Sequence, residues 1–400
     1  MLGRASRIAF AAALAWCVFV EAAELFLRVQ FGMEVDGDWY LIVADSAAAD
    51  CLRFVRAYAW QIAGVFAATV LAAAASAWLL RRASPAVFAA VVACAFLVVA
   101  VRVWSVGSFA AWKPAYVAFD TFRSAREYGR IGRAGRWTDE LASRVRQAPE
   151  GATNYVFVIG ESLTSRRVPF YGYSKDTMPR LASMGGDLAV EGPVRAPSPY
   201  TARSIAALLV ADGFSAPVWF RLAGYHTAFV GAQPRWERYC SVAAAVFAAC
   251  ERKVYLSEVC GGARIYDEQV LPYAAEMMKE RPFALFVHLM GSHFEPGTRV
   301  PEGFAADEGL DDYDRSVRYT DEVLSRLIAS LPPRTEFFFI SDHGESVDSA
   351  NWRDVRSEAL WTVPVFVYPA SSAPRISSFA DFVSAWRERA SAGLAPQQRQ

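Results

Sequence analysis

Five short runs of nearly continuous apolar residues constrain this chain more than anything else in it: NYVFVIG (154–160), YHTAFVG (225–231), FALFVHL (283–289), EFFFIS (336–341) and VPVFVY (363–368). A strand that is apolar on both faces needs cover on both faces, which is the pattern of parallel sheets sandwiched by helices. The segments between them fit that role, because YDEQVLPYAAEMMKE (266–280) and DDYDRSVRYTDEVLSRLIASL (311–331) repeat their apolar residues at intervals of three and four. The predicted fold for residues 151–390 is therefore α/β, a mostly parallel sheet flanked by helices. Such sheets bind ligands beyond the carboxyl ends of their strands.

The residues upstream follow other rules. Hydrophobic residues make up 54% of the chain and are concentrated unevenly, so an all-α membrane domain is expected over residues 1–107. Tyr58 to Leu80 and Pro85 to Val101 have spanning length, and Ile8 to Leu27, interrupted by Glu21 and Glu24, reads as a further span. Arg4 and Arg7 before the first, and Arg81 and Arg82 between the other two, mark the cytoplasmic side. Everything after these three spans then lies outside, as a periplasmic or extracellular domain tethered to the outer face of the membrane. Residues 108–150 mix Trp112, Tyr116, Phe119 and Phe122 with Lys113, Arg123, Arg126, Arg130, Arg133 and Arg136, which suits interfacial or linker helices. The tail 391–400 reads as disordered.

Lysine plus arginine and aspartate plus glutamate both number 41, so charge gives no reason to expect a nucleic-acid partner. Of six cysteines, those on the oxidising side under this topology are Cys51, Cys240, Cys250 and Cys260, and bridges are expected within Cys240 to Cys260.

The polar residues at the strand ends carry the chemistry. The first strand delivers Glu161 and Ser162, the third carries His288 and leads to His293, and the fourth delivers Asp342 and His343. Two carboxylates and an imidazole are ligands for a divalent cation such as zinc. His226, at the start of its strand, is expected to be structural.

Read in order, VFVIGESLTSRRVPFYGYSKDTMPRL, SPYTARS, YDEQVLP, FVHLMGSH, YDRSVRYTDEVL and FISDHGES resemble the membrane-anchored phosphoethanolamine transferases, the sulfatase-like branch of the alkaline phosphatase superfamily. The resemblance implies that Glu161, Thr201, Asp342 and His343 surround a Zn2+ ion, with Thr201 as the nucleophile. It implies transfer of phosphoethanolamine from phosphatidylethanolamine, through a phospho-threonine intermediate, to an envelope glycolipid or glycan acceptor. His293 stands where the family holds phosphoryl oxygens or a second metal, and His288 lies one strand-end earlier. Tyr171, Gly172 and Tyr173 shape the loop beside Glu161. The family's further histidine after SDHGES is missing, and Arg353 lies near its place as a candidate phosphate clamp. Alternatives are a related phosphodiesterase or hydrolase, a phosphoglycerol transferase, or an inactive membrane-bound homologue.

Overall fold

The computed structural model describes residues 4–32, 48–82, 84, 86–87, 113–234, 242–261, 264–306, 309–349 and 353–392. The chain divides into two units, Met1–Arg126 and Glu127–Gln400.

In the first unit, α1 (Arg4–Phe31), α2 (Ala48–Ala57) and α3 (Ala59–Arg82) are the main helices. Phe19 of α1 meets Phe66 of α3, and Phe26 and Phe31 close on Tyr58 at the head of α3. Helix α4 (Lys113–Ala134) begins in this unit. The expected spans at Ile8–Leu27 and Tyr58–Leu80 are thus helical, but among the described residues no helix is long and apolar enough to cross a membrane. Within α1 the buried Glu24 pairs with Arg28 at 3.3 Å, so charge interrupts its apolar surface. The third expected span lies almost wholly outside the described residues, as does the tail from residue 393.

The second unit is built on β1 (Asn154–Gly160), β2 (Ala189–Arg195), the hairpin β3 (Val210–Ala211) and β4 (Phe214–Ser215), β5 (His226–Gly231), β6 (Arg252–Tyr255), β7 (Phe283–His288), β8 (Thr335–Ser341) and β9 (Thr362–Tyr368). Seven of these form one sheet in the order β2-β9-β8-β1-β7-β5-β6. The pairs of β1 with β7 and β8, and of β5 with β6 and β7, are parallel, whereas β9 runs antiparallel to β8 and to β2. All five predicted strands are present. Besides the short hairpin β3–β4, the two strands missed in this sheet, β2 and β6, are its edges: AVEGPVR is interrupted by Gly192 and Pro193 at a register shift, and RKVY is short and charged. Edge strands lack the apolar pattern because one side of each meets no neighbour.

The side-chain alternation of the strands sorts two cores. Val156, Val158, Leu285, Val287, Phe337 and Phe339 point toward α7 (Val270–Met277) and α8 (Asp312–Ala329). Opposite, Phe157 stacks between Phe286 and Phe338, at 5.4 and 5.2 Å between centroids. Phe220 of α6 (Ala216–Leu222) and Phe382 of α9 (Phe379–Ser391) cover this ladder. Trp386 of α9, fully buried, donates its indole N–H to the Leu208 carbonyl in α5 (Thr201–Leu209) at 2.8 Å. Cys250 and Cys260 are free thiols, so no bridge joins these two; Cys240 lies outside the described residues.

Phe157 is the ring on which both neighbouring strands stack. Phe157→Ala should cost about 3–5 kcal/mol and lower the melting temperature by roughly 10 °C; differential scanning calorimetry of the parent and the variant measures this.

Candidate metal centre and nucleophile

The register of the central strands brings the chemistry to one edge. Gly160 pairs with Ser341 and Ile159 with His288, so Glu161, Asp342 and Leu289 leave the sheet side by side. Their backbones stay joined past the strand ends: Asp342 N–H donates to Gly160 O, Leu289 N–H to Ile159 O, and Ser292 N–H to Glu161 O. The approach is close enough to require glycine at two positions. A Cβ on Gly291, whose φ is +51°, would lie 2.5 Å from the Glu161 carbonyl, and one on Gly344 would lie 2.0 Å from that of Ala359. Asp267 fixes the exit turn of β7 by accepting the amides of Met290 at 2.7 Å and Gly291 at 2.8 Å. Ser162 has φ +58°; its amide donates to Asp342 Oδ1 and its carbonyl accepts the Tyr313 hydroxyl.

Among the described residues, Glu161, Asp342 and His343 are the one group of three or more acidic, His or Cys side chains whose ligand atoms all lie within 4.8 Å of one another. All three are buried. His343 Nδ1 is 2.8 Å from the Gly344 carbonyl, which can only accept, so Nδ1 carries the proton. Nε2 therefore turns a lone pair toward Glu161 Oε1 and Asp342 Oδ2, each at 3.4 Å. Asp342 Oδ2 is buried and has no hydrogen-bond partner. An orphaned carboxylate oxygen facing an imidazole lone pair is a set of acceptors lacking a cation, and the donor set fits a divalent metal.

Thr201 is the first residue of α5, with Tyr200 as N-cap. Its hydroxyl donates to Glu161 Oε2 at 3.0 Å and lies 3.5 Å from His343 Nε2. The structure thus gathers all four of the sequence-predicted metal residues at the positive end of a helix.

Burial dominates the electrostatics. It pushes Glu161 up to about 7, helped by the neighbouring Asp342, and Asp342 up to about 6. It pulls His343 down to about 4, with Arg353 acting in the same direction. Each ligand is thereby held in its neutral form more readily than in water.

Arg353, expected near the missing histidine, adopts φ +57° and donates through Nη1 to the Pro199 carbonyl at 2.9 Å, while its amide donates to Glu345 Oε1 at 2.8 Å. Its Nη2 stands 3.8 Å from Glu161 Oε1, which places the guanidinium beside the cluster and not in solvent. His293 lies in the turn after β7, half-buried, with Nδ1 3.4 Å from Arg299 Nη2, and is not one of the clustered ligands. His288 is buried at the end of β7 with Nε2 unpartnered, its pKa pulled down to about 3 by burial and by nearby His343. His226 is exposed near Glu251 and Glu280. Tyr171 bonds the Glu191 carbonyl, and Tyr173 joins Arg167 and Lys175 around the buried Asp314. Two residues of the site had no assigned part in the sequence reading. Glu345 is buried beside Arg353, and Gln233, two residues past β5, donates to Glu161. Following every strand to its end, β5 included, would have found Gln233.

A sheet of this order with its acids and hydroxyl at the strand ends is the architecture of the alkaline phosphatase superfamily, and comparisons with known proteins bear this out. The chain belongs to the Sulfatase family, whose model matches residues 153–390, more than half of its length. It is 28% identical over 227 residues to phosphoethanolamine transferase EptC of Escherichia coli O18:K1:H7, covering 48% of this chain and 39% of that one. It is also 28% identical over 255 residues to phosphoethanolamine transferase CptA of Salmonella typhimurium, covering 53% and 44%. The chain thus spans less than half the length of these two relatives. The periplasmic domain of E. coli EptC in complex with Zn superposes with a TM-score of 0.51 at 25% identity, over 60% of this chain and 82% of that one. The integral membrane protein EptA of Neisseria meningitidis shares the fold with a TM-score of 0.61 at 15% identity, over 97% and 85%.

Metal ligation displaces protons, so a Glu161 that titrates near 7 makes affinity depend on pH. Zinc affinity of the full chain, measured by chelator competition, should rise about tenfold between pH 6 and pH 8, with His343 adding little because it is already neutral there. A flat profile would contradict the burial-raised carboxylate.

Proposed function

We propose that the chain is a phosphoethanolamine transferase that carries the group from phosphatidylethanolamine, through Thr201, to a hydroxyl of an envelope glycolipid or glycan. The observation that carries this reading is the Thr201 hydroxyl at the head of α5, 3.0 Å from Glu161 and 3.5 Å from His343 Nε2. The relatives named as phosphoethanolamine transferases support the choice of transferred group.

Glu161, Asp342, His343 and the Thr201 oxygen would hold one Zn2+. Bound there, the cation would supply Lewis acidity that makes a threonine oxygen nucleophilic near neutral pH. The chain's own residues do the rest. Glu161 Oε2 accepts the hydroxyl proton as Thr201 Oγ1 bonds to phosphorus. The bond from phosphorus to the diacylglycerol oxygen breaks, and that oxygen takes up a proton. In the second half the acceptor hydroxyl gives up its proton as its oxygen bonds to the same phosphorus, and Thr201 Oγ1 leaves and takes up a proton, so the half-reaction is proton-neutral. Both halves gather charge on the non-bridging oxygens, against which the α5 amides and the Arg353 guanidinium are set. His293, with Arg299 beside it, is proposed to meet those oxygens from the β7 side. Arg353 cannot bind a metal, so it serves as a fixed cation where the relatives' pattern has a histidine.

A lipid donor requires the site to work at a bilayer. Trp60, Phe66, Leu71 and Trp78 of α3 are all more than half exposed, and we propose that the N-terminal helices hold the catalytic domain at the periplasmic face of the inner membrane. The second reading, a phosphodiesterase with water as acceptor, is favoured by the membership in the Sulfatase family; free phosphoethanolamine as the main product would select it.

Thr201→Ala should abolish transfer, with the melting temperature of the metal-free protein close to that of the parent and zinc still held, more weakly, by Glu161, Asp342 and His343. Incubation of the parent with donor alone should leave a phosphoethanolamine adduct on Thr201, detected by peptide mass spectrometry. Full activity in the variant would discard the threonine mechanism. Arg353→Ala should lower kcat by about 100-fold, and Arg353→Lys should restore only part of it, because lysine lacks the planar fork.

A further inference from the structure

We propose that Gln233 is a positioning residue that fixes the Glu161 carboxylate from the side opposite Arg353. Its side-chain Nε2 lies 3.0 Å from Glu161 Oε2 and 3.2 Å from the Leu289 carbonyl oxygen. Both neighbours are acceptors, so the NH2 end of the amide faces them and its two hydrogens are divided between them. One side chain thus ties together the ends of β5, β7 and β1, which supply Gln233, Leu289 and Glu161 in turn.

The hydrogen bonds on Glu161 explain what this tie does. Oε1 accepts the Ser162 hydroxyl at 2.7 Å, and Oε2 accepts both the Thr201 hydroxyl and the Gln233 amide at 3.0 Å. The inference rests on the proposed role of Thr201: when that hydroxyl gives up its proton, Oε2 loses one donor and the amide remains. Arg353 Nη2, 3.8 Å from Oε1, is close enough to close into a direct ion pair if the carboxylate swings toward it. That pair would consume the carboxylate and the guanidinium together. Gln233 holds Glu161 short of it, through a charge-assisted bond whose far end is anchored on backbone. Residues that orient a ligating carboxylate in this way affect metal affinity by about 10–100-fold.

The test uses the full chain, with Gln233→Ala and the volume-conserving Gln233→Leu. Zinc affinity by chelator competition should fall about 10–100-fold in both, with melting temperatures of the metal-free proteins within about 2 °C of the parent. Turnover at saturating zinc should drop with little change in KM for the lipid donor. A packing role alone would leave the leucine variant with parental affinity. Affinity within twofold of the parent in either variant, or a loss accompanied by a comparable fall in melting temperature in both, overturns the assignment. If the parent itself binds no zinc, the proposed function fails and takes this inference with it; a parent that binds while the variants bind equally well sinks the Gln233 role alone.

Discussion

Two carboxylates, Glu161 and Asp342, are buried side by side at the end of a sheet, and the rest of the site is arranged around their mutual repulsion. Burial alone disfavours each charge, and the second charge disfavours it further. The protein answers with donors of every kind: the Ser162 and His343 amides on Asp342, the Ser162 hydroxyl, the Thr201 hydroxyl and the Gln233 amide on Glu161, and the Arg353 guanidinium nearby. It leaves Asp342 Oδ2 unanswered. That one omission, beside an imidazole lone pair, separates a binding site from a structural ion pair, which would have been closed.

The scaffold can hold such a cluster because its central strands are rigid for apolar reasons. Stacked rings on one face and packed valine, leucine and phenylalanine side chains on the other lock the registers of β1, β7 and β8, and the registers decide which residues emerge together. The cost of the buried charges is thereby borne by packing that never touches them. The same division explains the glycines at 291 and 344: where the backbone of one strand end crosses another, even a methyl group is too large.

Much of this was legible in the residues. Continuous apolar runs located the five inner strands, since burial on both faces leaves little room for ambiguity, while the edge strands β2 and β6 carry no such signature. Glu161, Asp342 and His343 could be picked out as strand-end polar residues, but Thr201 could not: a threonine before an apolar helix is more often a cap, and only the resemblance of the ordered motif blocks pointed to it. Gln233 escaped because an amide carries no charge to attract notice. Arg353 was located by position, yet its nearness to Glu161 depends on a left-handed turn that composition does not announce. The N-terminal helices were visible as apolar segments, though none among the described residues is long and apolar enough to cross a membrane.

The bond from Trp386 to Leu208 ties the last described helix to the one that begins with Thr201. The footing of Thr201 is therefore braced by a segment 178 residues further along than the carbonyl it holds. A lesion confined to α9 would thus loosen the footing of Thr201 while the Glu161, Asp342 and His343 side chains were all still in place.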